Sequence, residues 1–256
     1  MSARPVAIVT GGRKGIGLGI ASALAASGFD LALTGVGDMD PSDTVLDGLR
    51  AVGGRAIYLK ADISDLAGHQ STVDTVLSSL GSIDCLVNNA GIASVVRGDF
   101  LDLQPENFDT IIDVNLKGTV FFTQTVVRAM LAAKKAATPR SVINITSVSA
   151  ELSSPERLDY CISKAGLAAF SRGLALRLAE TGIGVFEVRP GIIRTDMTAK
   201  VSAKYDALIA DGLVPMKRWG EASDIGTIVA ALASGSFAFA TGSVIDADGG
   251  LAIPRL

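Results

Sequence analysis

Histidine and cysteine are scarce in this chain of 256 residues: His69 stands alone, and the two cysteines are Cys85 and Cys161. A single histidine among polar neighbours supplies no ligand set, so no metal site is expected. One cysteine falls in a strand-like run and the other in a helix-like run. That placement points to buried thiols in a reducing compartment rather than to a disulfide framework. Charge is sparse as well. Charged residues make up 19% of the chain, the net charge is −3, and no basic run or basic–aromatic stripe occurs, which leaves nucleic-acid binding without electrostatic support. No signal-like segment is visible, since the chain enters the short run Val6-Ala7-Ile8-Val9 within a few residues and glycines close it. The uncharged run at 225–245 approaches the length of a membrane span, but Gly226, Ser234-Gly235-Ser236 and Thr241-Gly242 interrupt it. A helix, a turn and a core strand account for it better. The expectation is a soluble, cytoplasmic protein with no membrane or nucleic-acid partner.

What the chain has in quantity is hydrophobic residues, at 48%, and glycine, at 28 residues. That composition suits a covered sheet, and the length suits one α/β domain over 1–256. Short β-branched runs at 6–9, 31–34, 55–59, 83–87, 141–146, 185–188 and 242–245 are expected strands. Helical patterns lie between them at 18–27, 42–52, 66–80, 105–133, from Tyr160 onward, and at 221–233, with a polar return loop at 136–140. Strict alternation with short connections predicts a doubly wound parallel sheet, a Rossmann fold. The long excursion at 196–219 is expected to act as a lid over a site.

Two stretches carry chemistry. Ser147 follows the expected strand 141–146, at the carboxyl end where open α/β sheets place ligands. Thirteen residues later, Tyr160 and Lys164 stand four apart at a helix start, on one face. A free phenol has a pKa of roughly 10; a lysine cation beside it favours the phenolate, and a shift of about three units takes roughly 4 kcal/mol. With Ser147 bonding the same substrate oxygen, these groups suit a carbonyl/alcohol interconversion. The second stretch is Thr10-Gly11-Gly12-Arg13-Lys14-Gly15-Ile16-Gly17, between the first strand and a helix. Backbone N–H groups and a helix N-terminus there suit a phosphate, although the spacing is not G-x-G-x-x-G.

In order along the chain, Thr10 to Gly17, Asp62, Asn88-Asn89-Ala90-Gly91, Asn115, Ser147, Tyr160 with Lys164, and Pro190-Gly191-Ile192-Ile193-Arg194-Thr195 together resemble the classical short-chain dehydrogenase/reductase family. The resemblance spans nearly the whole chain and is closest to the beta-ketoacyl-acyl-carrier-protein reductase-like branch. It implies Tyr160 as proton donor or acceptor, Ser147 as holder of the substrate oxygen, Lys164 on the nicotinamide ribose and lowering the Tyr160 pKa, and Asn115 holding a water toward Lys164. It further implies that Gly11, Gly12, Arg13, Lys14, Gly15, Ile16 and Gly17 cradle the pyrophosphate, that Asp62 and Ile63 flank the adenine, and that Asn89, Ala90 and Gly91 lie along the adenosine. Pro190, Gly191, Ile193 and Thr195 would line the nicotinamide end. A homotetramer or homodimer is implied by the segment 241–250, and the apolar helix 225–233, with the tail Leu251-Ala252-Ile253-Pro254, is expected to bury part of its surface against another subunit. The cofactor expected is NADP(H), with NAD(H) as the alternative. Gly35 leaves the ribose-selecting acid missing and Arg13 and Lys14 offer charge, while Asp38 could fold over the same pocket. The loop from Glu151 to Asp159 departs from that branch by being charged; a solvated face is the expectation for it. Small-molecule substrates fit the site, with 3-oxoacyl thioester reduction, polyol or other alcohol oxidation, and a non-catalytic dinucleotide sensor as the alternatives.

Overall fold

A computed structural model of the chain describes residues 4–39, 44–133, 139–199 and 202–255. Seven strands, β1 (Val6–Thr10), β2 (Asp30–Gly35), β3 (Ala56–Lys60), β4 (Cys85–Asn88), β5 (Arg140–Ile145), β6 (Ile183–Pro190) and β7 (Val244–Ala247), form one sheet in the order β3-β2-β1-β4-β5-β6-β7. Every pairing is parallel, as the alternation of elements required. All five residues of β1 are buried, because helices cover both faces and a parallel strand then has no polar side. The helices are α1 (Gly15–Ala26), α2 (Val45–Arg50), α3 (His69–Leu80), α4 (Pro105–Ile112), α5 (Thr119–Ala132), α6 (Leu158–Leu178), α7 (Asp196–Ala199), α8 (Ser202–Ala210) and α9 (Ala222–Ala233). Strand order reverses between β1 and β4, so the crevice at their carboxyl ends is where a ligand is expected.

Several boundaries differ from expectation for physical reasons. Helix α1 begins at Gly15 rather than three residues later, since its glycines are helical. The run at 105–133 is not continuous: a π-helical turn, Asp113–Gly118, separates α4 from α5. Gly118 explains the contact there, because a Cβ on it would lie 2.2 Å from the Ile63 carbonyl oxygen. In the closing segment, Gly242 has φ +86°, and the strand begins only at Val244. Of the expected helix at 42–52, residues 42–43 lie outside the described residues, as do 136–138 of the return loop and 200–201 of the excursion. The described part of that excursion has its own small core, Ile209, Val214 and Trp219, packed on Ile192, with the Trp219 indole N–H donating to Asp206 at 2.7 Å.

Two scarce residues prove to be core. His69, although polar in its sequence neighbourhood, is buried, with Nε2 2.8 Å from the Ile63 carbonyl oxygen and its ring edge-on to Phe122. Cys85 is a buried free thiol whose pKa burial pushes up to about 12.

The apolar helix α9 uses its surface within the subunit. Ile225, Gly226, Val229 and Ala230 are buried, and the helix lies backbone to backbone on α1: a Cβ on Gly19 would fall 2.5 Å from the Ala222 carbonyl oxygen, and one on Gly226 2.4 Å from that of Gly19. Its hydrophobicity therefore gives no reason to expect a second subunit. Among the described residues, no helix is long and apolar enough to cross a membrane. Replacing Gly226 with alanine should cost about 1–3 kcal/mol through overpacking against a backbone that cannot yield. Gly48→Ala in α2, where an added Cβ meets nothing within 4 Å, should instead stabilise by about 0.5–1 kcal/mol. Urea unfolding of both variants checks the contrast.

Candidate active site

The phosphate-like turn is built from two kinds of glycine. Gly11 and Gly15 hold φ of +63° and +53°, where an L side chain is strained. Gly12, Gly17 and Gly19 are instead required by close approach; a Cβ on Gly17 would sit 2.2 Å from the Gly11 carbonyl oxygen. The density of glycine is thus explained by the turn and its packing, and the case for a phosphate rests on donors. Lys14 is the N-cap of α1 and makes no side-chain cap, and the first turn holds no acid, so the leading N–H groups and the positive helix end are open to an anion. Asn89 fastens this turn to β4: its Nδ2 donates to the Thr10 carbonyl oxygen at 2.8 Å and the Gly11 carbonyl oxygen at 3.3 Å, while the Asn89 and Ala90 amides donate to Thr10 Oγ1 at 3.0 and 2.9 Å.

At the other end of the crevice, Ser147 leaves β5 in extended conformation and its Oγ accepts from the Ser149 amide at 3.1 Å, opening a turn toward α6. Tyr160 and Lys164, one helical turn apart on α6, meet there, with the Lys164 ammonium 5.7 Å from the Tyr160 ring centroid. Lys164 is only 5% exposed and donates to the Ile145 carbonyl oxygen at 3.1 Å. Asn115 lies in the π-helical turn and its amide is fully engaged: Oδ1 accepts from the Ile92 amide at 2.8 Å, and Nδ2 donates to the Ile92 carbonyl oxygen at 2.9 Å and to Ser163 Oγ at 3.2 Å. It therefore staples the loop after β4 to α6. Gly91 fits beneath; a Cβ there would be 3.2 Å from Asn115 Oδ1 and 3.6 Å from Lys164 Nζ.

The remaining expected positions lie at or just after the carboxyl ends of β3 and β6. Ile193 is buried and bridges to Gly220, and Thr195 methyl approaches Gly15, so the segment after β6 closes on the glycine turn. Pro190 ends β6 and Gly191 packs against Asp248. Asp62 caps its own turn through Ser64, and buried Ile63 adjoins the π-helical turn. Among the described residues no cluster of metal-ligating groups occurs.

Comparisons with known proteins agree with this geometry. The chain matches the family model described as "Enoyl-(Acyl carrier protein) reductase" over residues 11–252. A 3-oxoacyl-[acyl-carrier protein] reductase from Brucella melitensis, crystallised in complex with NAD, is 67% identical, covers 100% of both chains and superposes with a TM-score of 0.97. The 3-oxoacyl-[acyl-carrier-protein] reductase FabG of Staphylococcus epidermidis is 34% identical over 96% of this chain and 98% of its own length. The corresponding reductase of Synechocystis is 34% identical over 96% of each. The chain belongs to the short-chain dehydrogenase/reductase family. It is an NAD(P)-dependent oxidoreductase that interconverts a carbonyl and an alcohol.

Within that family frame, the charged loop is mostly the solvated face expected of it, with Glu151 and Glu156 exposed, while Arg157 is partly buried and Asp159 buried. Glu151 pairs with Arg189 at 2.9 Å, and Arg189, 7% exposed, pairs in turn with buried Glu187 at 2.6 Å. Glu187 also accepts from Thr146 Oγ1 at 2.8 Å. The turn carrying Ser147 is thus tied on both sides to one ion pair on β6. Asp159, 1% exposed, accepts from Ser94 Oγ at 2.6 Å and from the Tyr160 amide at 2.7 Å. Arg157 lies over the Tyr160 ring, 5.4 Å from its centroid. None of these partners was legible in the sequence, because each pair is separated by a crossover or lies on a loop without periodicity.

The electrostatics also differ from the simple lysine–phenol picture. Burial pushes the Tyr160 phenol above its usual range, with the Ser147 hydroxyl and the Arg157 guanidinium pulling it back; Lys164 is not what lowers it in the protein alone. Burial also brings the Lys164 ammonium down to about 8. A lysine whose folded pKa lies below its unfolded value of 10.5 costs stability below pH 8 and ceases to do so above 10.5, since the unfolded chain binds more protons between those limits. In the cofactor-free protein, Lys164→Met should therefore be more stable than wild type at pH 7, by at most about 3 kcal/mol. That advantage should vanish as pH rises from 8 to 10.5, because Cys85 and Tyr160 titrate alike in both proteins. Denaturant midpoints at pH 7, 8.5 and 10 measure it, and a gap that stays constant would rule out an unpaired charge on Lys164.

Proposed function

We propose that the chain reduces the ketone of a 3-oxoacyl compound, with Tyr160 as the acid and base. The observation that carries this reading is the meeting of Ser147, Tyr160 and Lys164 at the carboxyl end of β5, beside a turn whose donors are free. The residues present fit a nicotinamide dinucleotide, which when bound gives or takes a hydride at the carbonyl carbon. Ser147 Oγ would hold the carbonyl oxygen and Tyr160 would give it a proton. Lys164 would bind the ribose hydroxyls, exchanging a poorly solvated position for direct hydrogen bonds. Gly11 to Gly17 would hold the pyrophosphate, Asn89 to Gly91 and Asp62 with Ile63 the adenosine, and Ile193 and Thr195 the carboxamide. Asn115 keeps the floor in place; because its side chain is engaged by Ile92 and Ser163, any water it binds toward Lys164 would use its main chain.

NADP(H) is the favoured cofactor. Gly35 offers no carboxylate at the end of β2, and Asp38 is paired with Lys60 at 2.8 Å instead of standing free over the pocket. Arg13 is held at that strand's end, over the Tyr58 ring and donating to the Asp38 carbonyl oxygen at 2.6 Å. The NAD in the Brucella relative's crystal structure is the observation that favours the alternative. A cytoplasmic homotetramer or homodimer goes with this reading. Exposed apolar residues near the edge strand β7 and in the following tail, Phe239, Val244 and Ile253, support assembly. Sedimentation as a monomer at micromolar concentration would refute it.

Turnover of 3-oxoacyl compounds, followed at the nicotinamide absorbance, tests the whole reading. Tyr160→Phe should lower kcat by about 10²–10⁴-fold while cofactor affinity stays within about threefold. Wild type should have the higher kcat/KM with NADPH, and Arg13→Ala/Lys14→Ala should cut that preference by about ten- to a hundredfold. Retained turnover in Tyr160→Phe removes the tyrosine from the chemistry. A preference for NADH that the double substitution leaves unchanged removes Arg13 and Lys14 from cofactor choice.

A further inference from the structure

Beside the Tyr160 phenol stands a cation that the reaction has not used. Arg157 is partly buried at the entry to α6, and apart from its place over the Tyr160 ring its guanidinium makes no hydrogen bond or ion pair among the described residues, the main-chain amide alone donating to the Ser154 carbonyl oxygen. A cation–π contact engages the charge and leaves the five N–H donors of the guanidinium free. The other charges of the same loop are differently placed. Glu151 is taken by Arg189, and Asp159 by Ser94 and the Tyr160 amide. Glu156 is exposed, and only its carbonyl oxygen is engaged, by the Gly98 amide. Lys164, the second cation near the phenol, is buried and bonded to the Ile145 carbonyl oxygen. The unpaired charge over the reacting group is therefore positive and carries a fork of donors matched to a carboxylate.

We propose that Arg157 is a specificity-determining residue that binds a carboxylate of the substrate, which makes the preferred substrate a free 3-oxo acid rather than its neutral derivatives. This rests on the reading of Tyr160 as the acid. A carbonyl oxygen held at the phenol hydroxyl leaves the rest of a small substrate within reach of a cation over the same ring, so the anion must lie only a few bonds from the ketone. A thioester at that position offers one neutral carbonyl oxygen to the fork, a weaker partner than a carboxylate. The buried Asp159, whose Oδ2 has no partner, is the opposing charge nearby. It makes no ion pair with Arg157, so an incoming anion breaks none.

Acetoacetate and acetoacetamide provide the test, being nearly equal in shape and different in charge. With reduced cofactor, wild type should favour the acid in kcat/KM by about tenfold or more. Arg157→Gln should bring that ratio near one, and Arg157→Lys should restore part of it. Calorimetric titration of the enzyme bearing oxidised cofactor with 3-hydroxybutyrate and 3-hydroxybutyramide reads the same preference without turnover. A tenfold binding preference that Arg157→Gln removes, in an enzyme that reduces neither ketone, leaves the anion site standing and the reduction reading fallen. Equal handling of acid and amide by wild type in both assays, binding of neither, or a preference that Arg157→Gln leaves intact overturns the anion site.

Discussion

An ammonium held away from water is the constraint on which the site depends. Lys164 reaches the end of β5 with a single carbonyl, that of Ile145, as its partner, and burial brings its pKa to about 8. A charge so poorly compensated is costly until hydrogen-bonding groups reach it. Its surroundings keep it there. Asn115 clamps Ile92 on both sides, Ser163 is held on the same amide, and Gly91 leaves the room that a larger residue would take. The π-helical turn that aims Asn115 exists where Gly118 lets the helix approach the Ile63 carbonyl. A local irregularity in one helix thus supports the placement of a charge on another.

The glycines of the turn after β1 are placed by packing. Gly12, Gly17 and Gly19 are demanded by Leu33, by the Gly11 carbonyl and by α9 respectively, none of which is a ligand. Close backbone approach is what brings the N-terminus of α1 to the crevice between β1 and β4. The apolar surface of helix α9 suggested a partner subunit, and much of that surface is spent on α1.

The loop between Ser147 and Tyr160 shows what charge means once it is folded. Glu151 reaches across to Arg189, which Glu187 already holds, and a buried pair of this kind tolerates no loss of one member. The same strand, β6, supports Ser147 through Thr146 and leads into the segment expected at the nicotinamide. The turn carrying Ser147 and the loop after it are therefore anchored through the same few charges, while the Arg157 guanidinium lies over the Tyr160 ring.

Local pattern was enough to determine the alternating elements, the parallel sheet and the positions of Ser147, Tyr160, Lys164 and the glycine turn. Strand runs are short and β-branched, and a helix places residues four apart on one face whatever surrounds it. Tertiary structure alone decided the π-helical break, the burial of His69, the pairing of Asp38 with Lys60, and the contacts of Arg157, Asp159 and Arg189. It also decided that burial, and not a neighbouring charge, dominates the Tyr160 phenol. Each of these depends on distances between residues far apart in the chain and on how much water remains around them. Neither quantity has a period, so neither leaves a pattern in sequence.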